Sequence, residues 1–276
     1  MTLRIVPATA FSHEDIAGCF TQAFEGYLAG SMLLTEATLP RFLARQGADL
    51  ALSRCVVSDG ALAGLTFVGE YERRRRIGGM GVLPSARGTG ASRLLLSRVI
   101  EDARAAGIAA MELEVFVQNA PAVALYRKTG FIDGPPLWGF TREPGGKLAG
   151  DADSPQTLTT SQAADWLITH GQPGLPYQTS GYALQHADPG LTFWRLGDAL
   201  MGFTETSPQR LSVPLLVDAN PAQADALRLV NTLLHRHPQH HVRVPQLMRD
   251  DCAAEAWRRA GFVALDIHQM QMRLPL

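Results

Sequence analysis

Cysteine is scarce in this chain: three residues, Cys19, Cys55 and Cys252, among 276. They lie far apart and in no metal-ligand spacing, which argues against a disulfide scaffold and a thiolate metal centre. An excess of one charge is missing as well. Lys and Arg number 25 against 26 Asp and Glu, a formal net charge of −1, whereas a nucleic-acid-binding protein shows a basic face. No window approaches the roughly 18 apolar residues of a membrane helix. The opening Met-Thr-Leu-Arg-Ile-Val-Pro has no long apolar core of the kind a secretory signal needs. These absences lead us to expect a cytoplasmic, thiol-reduced protein with no nucleic-acid and no membrane partner. What remains, 46% apolar and 18% charged residues, is the composition of a soluble globular protein. Its length suits two domains.

The most informative stretch is Gly79-Met-Gly-Val-Leu-Pro-Ser-Ala-Arg-Gly-Thr-Gly-Ala-Ser92. It reads as a strand ending near Pro84, a tight basic loop, and a helix opening near Ala91. Such a junction aims backbone N–H groups and the positive end of a helix dipole at one point, where a pyrophosphate fits. A P-loop needs Lys then Ser or Thr after its second glycine, and Ala91-Ser92 supplies no lysine. A dinucleotide fingerprint needs a third glycine and a parallel βαβ unit near the N-terminus, and both are missing. A glycine-rich turn without a ligand is the alternative that the loop alone leaves open.

Around it, strands are expected at residues 3–6, 50–57, 62–68, 75–83, 111–117 and 131–143. The Asp59-Gly60 pair marks a hairpin between the second and third of these. Helices are expected at 11–27, with Ser12 as N-cap, at 36–45, at about 91–106, and at 121–129, with Asn119 as N-cap and Gly130 as C-terminal stop. The run Arg73-Arg-Arg-Arg76 reads as a solvated basic hairpin. His235, His237, His240 and His241 straddle Pro238 and lack ligand spacing, so a solvated loop is expected there and no metal.

Two segments carry a resemblance. The loop Arg87-x-x-Gly90-x-Ser92 resembles the acetyl-CoA loop of the GCN5-related N-acetyltransferase (GNAT) family, with serine where the family has glycine or alanine. Leu113-Glu-Val-Phe-Val-Gln-Asn-Ala-Pro-Ala-Val-Ala-Leu-Tyr-Arg-Lys-Thr-Gly-Phe131 resembles that family's fifth strand and fourth helix. The resemblance covers residues 3 to about 143. It implies an α/β (α+β) fold with a mixed, mostly antiparallel sheet flanked by helices, and acetyl-CoA as co-substrate. The activity implied is acetyl transfer to a primary amine of a small molecule or peptide, directly within a ternary complex. The alternative is a non-catalytic acyl-CoA sensor.

By the same resemblance, Met80, Gly81 and Val82 present backbone groups to the pantetheine arm, with the Val82 N–H as donor to the thioester carbonyl. Arg87, Gly88, Thr89, Gly90, Ala91, Ser92 and Arg93 surround the pyrophosphate. Asn119 hydrogen-bonds the pantetheine amide, Tyr126 protonates the leaving thiolate, and Glu114 is the candidate base. Glu70 and Glu72 are rival carboxylates.

Residues 144–160 are dense in Gly, Pro, Asp, Ser and Thr, which marks a linker. Beyond it, Ala253-Ala-Glu-Ala-Trp-Arg-Arg-Ala-Gly-Phe262 echoes Ala122-Val-Ala-Leu-Tyr-Arg-Lys-Thr-Gly-Phe131 at an offset of 131. We therefore expect a catalytic domain at 1–146, a linker at 147–160 and a degenerate copy at 161–276, in a monomer or homodimer. Carried without gaps, the offset puts Asp218-Ala-Asn-Pro-Ala222 on Arg87–Ala91, Trp257 on Tyr126, Asp250 on Asn119 and Pro245 on Glu114. One acetyl-CoA per chain is expected, bound by the first half.

Overall fold

A computed structural model of the chain describes residues 2–146, 151–186 and 190–276. They form two compact units, and the division is not contiguous. Residues 1–115, 119–134 and 271–276 make the first, and residues 116–118 and 135–270 make the second. The expected boundary near residue 146 thus misses two exchanges of chain.

In the first unit, β1 (Leu3–Pro7) is followed by α1 (His13–Ala23), α2 (Leu39–Gln46), β2 (Asp49–Ser58), β3 (Ala61–Tyr71) and β4 (Arg74–Val82). Then come α3 (Ala91–Ala105), β5 (Ala110–Phe116) and α4 (Ala120–Lys128). Ser12 caps α1 in a full capping box with Asp15. Asp59 (φ 48°) and Gly60 (φ 90°) both turn left-handed between β2 and β3, as the tight hairpin requires. Strands β1 to β4 pair antiparallel in sequence order. Strand β5 joins β4 in parallel, and β13 (Gln269–Pro275) lies on its other edge. One apolar core lies between α1, α2 and the sheet, around Phe20, Leu39, Leu65 and Phe67. Another seats Ala91 and Leu95 of α3 against Val56, Ala63 and Val82.

Strand β6 (Ile132–Arg142) opens the second unit from Pro135 onward. The expected linker is only partly a linker. Residues 147–150 lie outside the described ones, but Gln156–Leu158 forms β7, and Thr159 caps α5 (Thr160–His170) with Gln162. Further on come α6 (Gly181–Leu184), β8 (Thr192–Leu196), β9 (Ala199–Ser207), β10 (Arg210–Asp218), α7 (Ala224–Arg236) and β11 (His241–Met248). The unit closes with one π-helical turn at Asp250–Ala254, α8 (Glu255–Arg259) and β12 (Val263–Ala264). Its strand order β6-β11-β10-β9-β8-β7, with β10 and β11 parallel, repeats the plan of the first unit.

The repeat is visible in detail at the last helix of each unit. Phe131 N–H donates to the carbonyl of Tyr126, and Phe262 N–H to that of Trp257, both at 3.1 Å. The rings pack likewise, at 5.7 Å for Tyr126–Phe131 and 4.7 Å for Trp257–Phe262.

Candidate active site

The site begins where two strands part. The parallel ladder of β4 and β5 runs only from Arg74↔Ala110 to Ile77↔Leu113. Facing β3, the register skips Gly78, so that Phe67 pairs with Gly79 and Val68 with Ile77. This bulge bends β4 at the point where it leaves β5. Beyond it, the N–H of Leu83 donates to Ala63 O at 2.8 Å. Because N–H directions alternate along an antiparallel pair, Leu83 and Gly81 face β3, while Met80 and Val82 turn their N–H and C=O toward the opening. The expectation that Gly81 presents its own amide is therefore corrected. Its contribution is the missing side chain: a Cβ there would lie 3.0 Å from Ala23 Cβ and from Phe24 Cε2. The end of α1 thereby rests directly on the open strand.

At the tip of β4 the chain passes through a loop, exposed at Arg87–Gly90, into α3. Gly88 (φ 77°) and Gly90 (φ 90°) are left-handed, and a Cβ on either would meet nothing within 4 Å. Conformation, not crowding, requires glycine there. Thr89 Oγ1 donates to Ala86 O (2.7 Å) and braces the turn. Helix α3 opens at Ala91, Ser92 and Arg93 without a side-chain cap, so its first N–H groups are presented to an anion. The Arg87 guanidinium donates to Ala23 O at 3.3 Å, at the end of α1.

On the β5 side, Asn119 caps α4, its Oδ1 accepting from Ala122 N–H at 3.4 Å. Its side-chain amide also hydrogen-bonds the phenol of Tyr27, whose pKa burial raises and Asn119 lowers. Tyr126, one face of the same helix along, is 7% exposed. Burial, and then the neighbouring Tyr27, push its phenol well above the usual range, so it stays protonated at neutral pH. Tyr27 lies outside both motifs and past the end of α1, where no periodicity marks it.

Glu114 is brought to the fork but is not free. Its Oε2 accepts from Nε (2.8 Å) and Nη2 (2.5 Å) of Arg76, and both side chains are 4% exposed. A carboxylate engaged by a guanidinium inside the protein is a poor proton acceptor. The rival carboxylates are also paired, Glu70 with Arg75 at 2.9 Å and Glu72 with Arg74. This corrects the reading of the arginine run: Arg75 and Arg76 are buried residues of β4 with ion-pair partners, not a solvated hairpin.

The second unit keeps a fork and fills its loop. Here β10 and β11 pair only from Arg210↔His241 to Ser212↔Arg243. Residues 83–90 separate β4 from α3, but only 219–223 separate β10 from α7, so the ungapped offset fails across this loop. Asp218 is the last residue of β10 and fully buried, not the counterpart of Arg87. Its carboxylate accepts from Asn220 N–H (2.8 Å) and from Ala226 N–H in the first turn of α7 (2.9 Å). A built-in anion thus occupies the place that α3 leaves open. Gln223 closes the rest, bonding Asp250 O (2.6 Å) and Ala256 N–H (3.1 Å). Trp257 and Asp250 do fall at the positions of Tyr126 and Asn119. Of the four histidines, His240 and His241 lie 3.5 Å from Glu205 and Glu143 respectively, and no group of three or more metal-binding side chains occurs among the described residues.

A fork beside an uncapped helix on a mostly antiparallel sheet defines a class. Residues 19–131 match the model of the Acetyltransferase (GNAT) family, and the chain belongs to that family. Over 92 residues it is 44% identical to an IAA acetyltransferase of Azospirillum brasilense, covering 33% of this chain and 58% of that protein. Over 88 residues it is 36% identical to a streptothricin acetyltransferase of Streptomyces lavendulae, covering 31% and 47%. The matched stretches span about half the length of these relatives. The fold likeness runs further. A GCN5-related N-acetyltransferase of Sphaerobacter thermophilus superposes on 99% of this chain and 95% of its own (TM-score 0.64, 15% identity). One from Anabaena variabilis covers 99% and 72% (TM-score 0.66, 13% identity).

Proposed function

We propose that this protein is an acetyl-CoA-dependent N-acetyltransferase whose first unit transfers the acetyl group to a primary amine of a small molecule or peptide. The observation that carries this reading is the fork itself, with the Met80 and Val82 N–H groups turned into it and an uncapped helix at its tip. Arg87, Gly88, Thr89, Gly90, Ala91, Ser92 and Arg93 hold the pyrophosphate. Met80 and Asn119 align the pantetheine arm. The Val82 N–H donates to the thioester carbonyl and stabilises the oxyanion that develops there.

The acceptor must lose its ammonium proton before it attacks, since only the free amine has a lone pair. With Glu114, Glu70 and Glu72 all paired to arginines, that proton leaves through water rather than through a dedicated carboxylate. Tyr126, held neutral by burial, gives its proton to the departing thiolate. The three cysteines are buried and lie outside the site motifs, in keeping with direct transfer and no acyl-enzyme.

The test is a thiol-release assay over a panel of amines, read beside calorimetric titration with acetyl-CoA. Turnover with at least one amine is the expected result. Binding of acetyl-CoA with no thiol released from any amine would overturn the reading in favour of an acyl-CoA sensor.

A further inference from the structure

Tyr27 is used by neither motif nor by the reaction just described, yet it is held at the site. Its N–H donates to Phe24 O (3.1 Å), and its carbonyl accepts from Gly30 N–H (2.8 Å). Its ring meets that of Phe24 edge-on with centroids 5.2 Å apart, and Phe24 packs on Gly81 of the open strand. Its phenol reaches across to the side-chain amide of Asn119, the cap of the helix that carries Tyr126. A charge on Tyr27 is felt at Tyr126, so the two hydroxyls share one neighbourhood. They differ in access: Tyr126 is buried and Tyr27 only half-buried.

That difference poses a chemical problem for catalysis. Once Tyr126 has given up its proton, a buried phenolate is left with little contact with bulk water, and burial makes it costly. We propose that Tyr27 is the relay partner that returns the proton to Tyr126 after each turnover. The inference rests on the acetyl-transfer reading above. The steps balance: the N–C bond forms as the C–S bond breaks, and the amine proton passes to water. The Tyr126 O–H breaks as the thiol S–H forms. The Tyr27 O–H then breaks as that of Tyr126 is restored, and water returns a proton to Tyr27. Asn119 lowers the cost of the transient Tyr27 phenolate through its hydrogen bond.

Tyr27→Phe keeps the ring contact with Phe24 and removes only the hydroxyl. In rapid mixing with pre-bound acetyl-CoA, its first turnover should match the wild-type rate. Later turnovers should be about tenfold slower, and added imidazolium buffer should recover them. Tyr126→Phe should instead slow the first turnover. The relay is overturned if Tyr27→Phe turns over steadily at the wild-type rate, if its first turnover is equally slow, or if buffer acid restores nothing. Should Tyr27→Phe fail to fold, Tyr27→His takes its place. Steady turnover that improves as the imidazole becomes protonated supports the relay, and turnover indifferent to that protonation overturns it. If the wild type releases no thiol from any amine, the underlying reaction fails instead, and the two failures are told apart before any variant is made.

Discussion

Glu114 shows how far a residue's partner decides its role. On a strand beside a cofactor motif it has the position of a base, but Arg76 claims it, and Arg76 also bonds Gln46 O and Oε1 at 3.1 Å each. The pair therefore ties the end of α2 to β4 and β5. Removing one partner of such a buried pair strands the other charge, so Glu114→Gln should cost about 3–5 kcal/mol in denaturant unfolding. The folded fraction should keep the wild-type pH–rate profile, and the double change Arg76→Met with Glu114→Met should recover much of the stability. A profile that loses its basic limb in Glu114→Gln would reinstate Glu114 as the base. The thiols are a second case. Burial pushes Cys19, Cys55 and Cys252 up from 9.0 to about 12. Because the folded value is the higher one, their contribution to stability is intact below pH 9 and lost as pH climbs toward 12. Iodoacetamide at pH 8 should therefore label none of them in the folded chain and all three in denaturant, and a midpoint series from pH 8 to 11 should fall.

Among the elements, the junction of β4, the loop and α3 was the most legible in the sequence, and the reason is local. Left-handed glycines, a strand of fixed alternation and a helix start each leave a mark within a few residues. What stayed hidden depends on distant partners. The four arginines look like a solvated charge run until Glu70, Glu112 and Glu114 arrive from strands on either side of β4. The short β7 is invisible in a polar stretch because it is defined by pairing with β8 alone. Asp218 was misplaced because an offset taken from α4 and α8 cannot register a loop that has shortened between them. For the loop itself, Gly90→Ala meets no obstruction and bears only the left-handed strain, about 1–2 kcal/mol. Thermal unfolding should show that modest loss. Acetyl-CoA affinity in calorimetry should fall at least about tenfold, since the added methyl points into the space that an anion at the helix N-terminus needs. An unchanged affinity would remove the loop from the binding site.

For the molecule as a whole, the two units follow one plan but differ in what meets the dipole of their central helix. In the first unit α3 is open, and in the second Asp218 already supplies the anion. Calorimetry with acetyl-CoA should accordingly give one site per chain, and Asp218→Asn should not create a second, because Gln223 still fills the shortened loop. Two sites in the wild type would refute this. The exchange of chain between the units carries a consequence for biosynthesis. Residues 271–276 belong to the first unit, and Leu276 N–H donates to Ala109 O at 3.1 Å. A ribosome adding roughly 5–20 residues per second finishes residue 134 some ten to thirty seconds before that closing strand exists. The earlier-made half thus waits, with one edge of β5 bare, for the last codons of its own message. Its completion is an event of chain termination, and a nascent-chain truncation even a few residues short should leave the transferase half unfinished.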